Sequence, residues 1–198
     1  MRNFRSVVVL RRPRAELWTI MRDHLAAFAA SVADIGEVRQ IERVEAADGT
    51  VRIANRWQVQ RPVPPSVRAM LKIDTFAWID RNVWDQRSHT CRWSIEPTVL
   101  GEHASCRGET LFEVAMGGRG TRVTFSGELD VKPGLVDALG SVGPMVIGSI
   151  EPAVSTIVPR NLRAVAEAAA AFALPVAGAR SADEDAVVEA EPWVGERG

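Results

Sequence analysis

The sequence predicts an α+β domain: an antiparallel sheet of about six or seven strands and a long C-terminal helix that covers one face of it. Three patterns carry this. Short segments of period-two alternation recur through the middle of the chain, separated by turns that hold glycine and aspartate. A strand-like segment followed by an amphipathic helical pattern opens the chain. A stripe of apolar residues with a period near 3.6 fills residues 145–173.

Residues 4–10 alternate, and Pro13 then opens a helical pattern with Leu17, Ile20, Met21, Leu25, Phe28 and Val32 on one stripe, expected as a single helix. Residues 38–45 and 51–60 alternate around AADGT, where Asp48-Gly49 suits the positive φ of a tight hairpin. RPVPPSVRAML at 61–71 holds three prolines, which forbid a central strand, and reads as a crossover or lid. Residues 75–84 and 89–96 flank DQRS, and residues 105–115 and 122–131 flank GGRG, completing an antiparallel meander. In the terminal helix, Ile147, Ile150, Val154, Ile157, Leu162, Val165, Ala169 and Phe172 share the stripe; Pro152 falls in the first turn, and Pro159 is expected to kink the helix.

The chain has 198 residues, enough for one domain and an appendage. We expect a domain over 1–174 and a disordered tail over 175–198, where Asp183, Glu184, Asp185, Glu189, Glu191 and Glu196 outweigh Arg180 and Arg197. Net charge is −1, which gives no broad footprint for nucleic acid. Arg2, Arg5, Arg11, Arg12 and Arg14 leave the body mildly basic, consistent at most with transient contact with an anionic membrane. No apolar run reaches the roughly 18 residues of a spanning helix. Val7, Val8, Val9 and Leu10 form too short a run for a signal peptide, so the expected location is the cytoplasm. Basic residues are almost all arginine, a composition typical of GC-rich bacterial genomes.

The element order resembles the START-like superfamily, also called SRPBCC, with its helix-grip fold. The local likeness rests on VVVLRRPRAELWTIMRD, on FAWIDRNVWDQRSHTCRWSIEP, and on RGETLFEV followed by TRVTFSGELDV. It spans about residues 3–174 and is similar both to polyketide cyclase/dehydrase members and to PRELI-type phospholipid carriers. The resemblance implies a curved sheet wrapped around the long helix, with an apolar cavity for a lipid, polyketide or other hydrophobic small molecule.

Alternation agrees with such a cavity wall. Val51, Ile53, Asn55, Trp57 and Val59 share one face of their strand; Gly108, Thr110, Phe112 and Val114 share one face of another, and Val123, Phe125 and Leu129 of a third. Arginines and glutamates take the opposite face. Phe76, Trp78 and Trp84 fall on one parity, and Cys91, Trp93 and Ile95 on one parity of the next strand; the rings are either core or cavity lining. The candidate ligand-binding residues are therefore Asn55, Trp57, Phe76, Trp78, Trp93, Phe112, Phe125, Ile150, Val154 and Ile157.

Asp80 and Asn82 share the parity of Trp78. They would fix a polar head group at a cavity mouth, or a bulge near Arg81 would turn them outward; exposure at a strand end is the expectation. Asn55 is the better interior polar candidate. His24 is expected at the boundary of helix 1, and His89 and His103 in solvated turns. Their spacing gives no metal site, and no catalytic residue or cofactor is assigned. Cys91 and Cys106, expected as reduced near neighbours, read as inert packing. The leading expectation is a non-catalytic carrier or sensor of an apolar molecule, gated by 61–71 and by KPGLVDALGSVGPM. A cyclase/dehydrase-type enzyme using Asn55, His24 or Asp80, and a co-chaperone-like interaction module with a filled interior, are the alternatives.

Overall fold

Each alternating segment forms a strand in the computed structural model, which describes residues 2–33, 35–60, 74–99, 101, 103–132, 134, 140 and 158–174. Strand β1 (Arg2–Leu10) leads to helices α1 (Arg14–Asp23) and α2 (Leu25–Ala29). Then follow β2 (Ile35–Glu45), β3 (Thr50–Val59), β4 (Ala77–Asp85), β5 (Thr90–Pro97), β6 (Ala104–Ala115), β7 (Gly120–Val131) and α3 (Val158–Ala171). The sheet is seven-stranded in the order β1-β7-β6-β5-β4-β3-β2, and its pairs are antiparallel. Because β1 closes on β7 while β2 lies at the far edge, α1 and α2 must cross the sheet between them. That crossing covers the inner face.

The turns follow their residues. Gly49 takes φ 85°, and Asp48 Oδ1 accepts from the Thr50 amide at 2.9 Å and the Thr50 hydroxyl at 2.7 Å. At DQRS, Asp85 accepts from the Arg87 amide at 2.9 Å and the Ser88 hydroxyl at 2.7 Å. After β6 the chain turns through Met116, Gly117 and Gly118, whose φ values are 52°, 63° and 90°.

The first helical stripe is two helices rather than one. His24, at φ −120° and ψ 17°, leaves helical geometry between α1 and α2. Asp23 fixes the break: it accepts from Arg22 at 2.7 Å and from Arg43 of β2 at 3.0 Å. Beyond it, Ala29 packs with Val38 and Trp57. The break thus turns α2 onto the β2 edge while Leu17, Trp18, Ile20 and Met21 stay over the sheet centre.

At that centre two glycines face each other, Gly108 of β6 and Gly127 of β7. The Trp93 ring lies against both: a Cβ on Gly108 would sit 2.5 Å from Trp93 Cζ2, and one on Gly127 2.7 Å from Trp93 Cη2 and 2.8 Å from Phe4 Cζ. Neither position has room for a side chain. Trp93 stacks on Phe4 with centroids 6.1 Å apart, and its Nε1 donates to Thr110 Oγ1 at 3.1 Å. Val114, expected on this oily face, is 56% exposed because it lies at the end of β6, next to the turn.

Helix α3 is held at its carbonyl end. Arg12 Nη1 donates to the Ala170 carbonyl at 2.8 Å and to the Phe172 carbonyl at 2.6 Å, and its own carbonyl accepts from the buried Thr121 hydroxyl at 2.6 Å. Helix carbonyls at a C-terminus lack intrahelical partners and attract cations. Arg163 of α3 donates to the Val7 carbonyl of β1 at 2.9 Å. Pro159 falls in the first described turn of α3; residues 145–157, with the expected kink, lie outside the described residues, as do Ile150, Val154, Ile157 and the tail 175–198. No helix among the described residues is long and apolar enough to cross a membrane.

Charged hydrogen bonds contribute roughly 1.5–3 kcal/mol each, whereas exposed ion pairs such as Arg122–Glu113 contribute about 0–1 kcal/mol. Arg12→Ala is therefore expected to lower unfolding stability by about 3 kcal/mol and to speed amide exchange in α3. Urea unfolding with hydrogen exchange checks this; an effect no larger than that of Arg122→Ala would contradict it.

Candidate functional site

The inner face segregates its rings into three groups. Trp18 of α1 meets Trp84 edge-on at 5.0 Å and Phe112 at 5.2 Å, with the His89 ring at 5.5 Å. Trp93 and Phe4 form the second group. In the third, Trp57 and Trp78 stack across β3 and β4 with centroids 5.7 Å apart and planes 14° apart. Trp57 is buried, while Trp78 keeps part of its surface open. Next to this third group lies a polar cluster.

Asp80 and Asn82 point inward, contrary to the expectation of exposure: each is only 9% exposed. The reason is register. β4 pairs without interruption from Trp78 to Asp85 on β3 and on β5, so there is no bulge at Arg81 to turn its neighbours outward. Asn55, 4% exposed, faces Asp80 across the strands. Asn82 Nδ2 donates to Asp80 Oδ2 at 2.9 Å, and the Cys91 thiol points to Asn82 Oδ1 at 3.6 Å. The cluster is a short polar chain inside an apolar wall.

Burial pushes the Asp80 carboxyl up in pKa, against the opposing pull of Asn82, Trp57 and Asn55. Trp57 and Asn55 stand close enough to act as donors that pull the carboxyl pKa down, although Asp80 Oδ1 and Trp57 Nε1 make no hydrogen bond of full geometry among the described residues, nor does Trp18 Nε1. Unpartnered buried polar atoms are costly, roughly 1–3 kcal/mol each. A ligand that satisfied them would recover that cost.

The remaining candidates separate. Phe76 is 41% exposed; it immediately precedes the first residue of β4, and its carbonyl accepts from the Val59 amide of β3 at 2.9 Å. Phe112 and Phe125 are 1% and 2% exposed within the main core. His24 lies against Phe172, with ring centroids 5.9 Å apart and planes tilted by 32°, rather than joining the cluster. His89 is half-buried, with its pKa lowered by burial and by Arg14. Cys91 pairs with Thr110 and Cys106 with Ile95, four positions along β5, so the thiols are not the near neighbours expected. Burial raises both in pKa, Cys106 to about 11, and leaves them un-ionised. Among the described residues no group of three His, Cys, Asp or Glu gathers as a metal site.

An open hollow of about 880 Å³ lies on the opposite, charged face, lined by Arg81, Arg92, Arg107, Glu109 and Glu128 and reaching the backbone at Gly108 and Gly127. Arg107 pairs with Glu128, and Arg92 stands opposite Glu109 in the register. These charges answer one another in water, and the hollow holds no unpartnered buried group. The inner cluster is the stronger site.

A carboxyl whose pKa is raised in the folded state favours folding less as pH climbs, since the unfolded chain releases the proton first, above about pH 4. Asp80→Asn is therefore expected to gain stability relative to the parent as pH rises through the weakly acidic range above about pH 4. Urea unfolding of both proteins across that range reads it; a difference independent of pH, or of opposite slope, would contradict it.

A scan against protein-family models finds no match, and a search of curated proteins finds none. Solved structures do match. The chain is similar to TTHA0849 from Thermus thermophilus, with 16% identity over 86% of this chain and 98% of that one and a TM-score of 0.59. It is similar to the Zhui aromatase/cyclase from Streptomyces sp. R1128, with 16% identity, coverage of 86% and 92% and a TM-score of 0.60. It is also similar to truncated norcoclaurine synthase from Thalictrum flavum, at 14% identity, coverage of 85% and 91% and a TM-score of 0.57. With the seven-stranded antiparallel sheet and its C-terminal helix, the chain shares the helix-grip fold of these structures.

Proposed function

We propose that the chain binds a hydrophobic small molecule, lipid-like or polyketide-like, between the inner sheet face and the C-terminal helix, and acts as a non-catalytic carrier or sensor in the cytoplasm. The observation that carries this reading is the stacked Trp57–Trp78 pair, with Trp78 partly open, beside the unpartnered Asp80 Oδ1 and Trp57 Nε1. Aromatic planes offer apolar area, and a few convergent polar groups fix orientation, which is the composition of small-molecule sites. The fold of an aromatase/cyclase and of norcoclaurine synthase supports it. Residues 1–174 form the binding domain, with Asn55, Trp57, Trp78 and Trp93 on the sheet side and Ile150, Val154 and Ile157 assigned to the helix side.

The buried Asp80–Asn55 pair also favours a second reading, a cyclase/dehydrase-type enzyme in which the carboxyl moves a proton on a bound chain. Substitution of Asp80 separates the two: a carrier keeps its apolar ligand with weakened affinity, whereas an enzyme loses turnover.

Native mass spectrometry of the purified protein, followed by solvent extraction, is expected to find one small apolar molecule per chain. Recovery of no bound compound under several extraction conditions would contradict the proposal.

A further inference from the structure

We infer that Arg39 and Arg56, side by side on the outer face of the sheet, form a binding site for a phosphate-like oxyanion, separate from the inner ligand site. Arg39 of β2 stands opposite Arg56 of β3 in the register, and Glu37 stands opposite Gln58 in the adjacent pair. Side chains opposed in this way have their Cβ atoms about 5 Å apart, and like charges so placed repel. These four residues line one cavity of about 210 Å³.

Elsewhere on the outer face the arginines have carboxylate partners. Arg81 meets Glu96 at 3.7 Å, Arg122 meets Glu113 at 3.8 Å, and Arg107 pairs with Glu128. On β2 itself, Arg43 is taken by Asp23 and Glu45. Among the described residues neither Arg39 nor Arg56 makes an ion pair or a side-chain hydrogen bond. Glu37 lines the same cavity, but it is exposed and pairs with neither arginine. The residue opposite Arg56 on β4 is Ile79, and Glu96, opposite Ile79 on β5, is the partner of Arg81. On the other side β2 is the edge of the sheet.

An anion supplies the missing charge. Each guanidinium is a planar fork that meets two oxygens, so two forks offer more donors than one carboxylate accepts, whereas a phosphate brings three or four oxygens. The half-buried Gln58 amide adds neutral donors at the cavity wall. The volume has room for one such anion and several waters, at about 30 Å³ per water.

The test titrates inorganic phosphate against the full chain by calorimetry, in chloride buffer near neutral pH at constant ionic strength. Saturable binding is expected with a dissociation constant near about 1 mM, as two charge-assisted contacts imply, and phosphate should raise the urea midpoint above its value in chloride. Arg39→Gln and Arg56→Gln should each weaken binding about tenfold and raise the midpoint in chloride, because the repulsion is gone; Arg122→Gln should do neither. Sedimentation with phosphatidylcholine vesicles, with and without phosphatidic acid, identifies the source of the anion. Retention on phosphatidic acid that phosphate competes away, and that both variants lose, assigns the site to a lipid headgroup; phosphate binding without retention assigns it to a free phosphate. No saturable phosphate binding, binding that both variants keep, or a lower chloride midpoint in both variants would overturn the site.

Discussion

The architecture depends on how Arg12 is held. It leaves β1, shares its carbonyl with Thr121 of β7 and its guanidinium with the last carbonyls of α3, and reaches Glu16 of α1 at 3.2 Å. One residue thus ties the sheet, through its carbonyl, to the first helix and the covering helix, through its guanidinium. Its charge opposes the partial negative end of α3, where a cation stabilises most. With Arg163 tying α3 to β1, the helix is tethered to the same edge of the sheet through two donors. These contacts act together with the apolar stripe of the helix, whose described part buries Ala166 and Ala169 and packs Val158, Leu162, Val165 and Phe172 against the core.

Within that frame the inner face is chemically uneven. Around α1 it is close-packed, with Leu17, Trp18, Ile20, Phe112 and Val123 near zero exposure. Towards β3 and β4 it carries Asn55, Asp80 and Asn82, and the ring next to them is not fully covered. A purely structural core gains nothing from an unpaired carboxyl oxygen, because desolvation outweighs any hydrogen bond that is not made. Polar groups placed in this way are a property of sites that expect a partner. The charged outer face is the ordinary counterpart: its arginines and glutamates alternate, pair and remain solvated.

Much of this was legible in the sequence, for reasons that differ by element. The strands announced themselves because alternation and Asp-Gly or Gly-Gly turns are local signals, and the same parity correctly put Asn55 inside. The break at His24 was not legible, since no glycine or proline marks it and its fixing partner, Arg43, lies 20 residues away in sequence. Asp80 and Asn82 were misplaced by a general preference for solvating polar groups, which lost to an unbroken register that leaves alternate side chains no choice of face. Phe76 erred the other way: its parity is right, but it precedes the strand. The cysteines show that parity alone does not give distance along a strand pair.

The central claim is that the Trp57–Trp78 end of the inner face receives a ligand while the Trp18–Trp84 end is core. The indole N–H signals of the six tryptophans in a nitrogen-labelled sample, followed as acetylnaphthalene is added, test this most directly. The account predicts that the signals of Trp57 and Trp78 move together and saturate, with those of Trp18 and Trp84 unchanged. Movement confined to Trp18 and Trp84, or a uniform absence of movement, would contradict it.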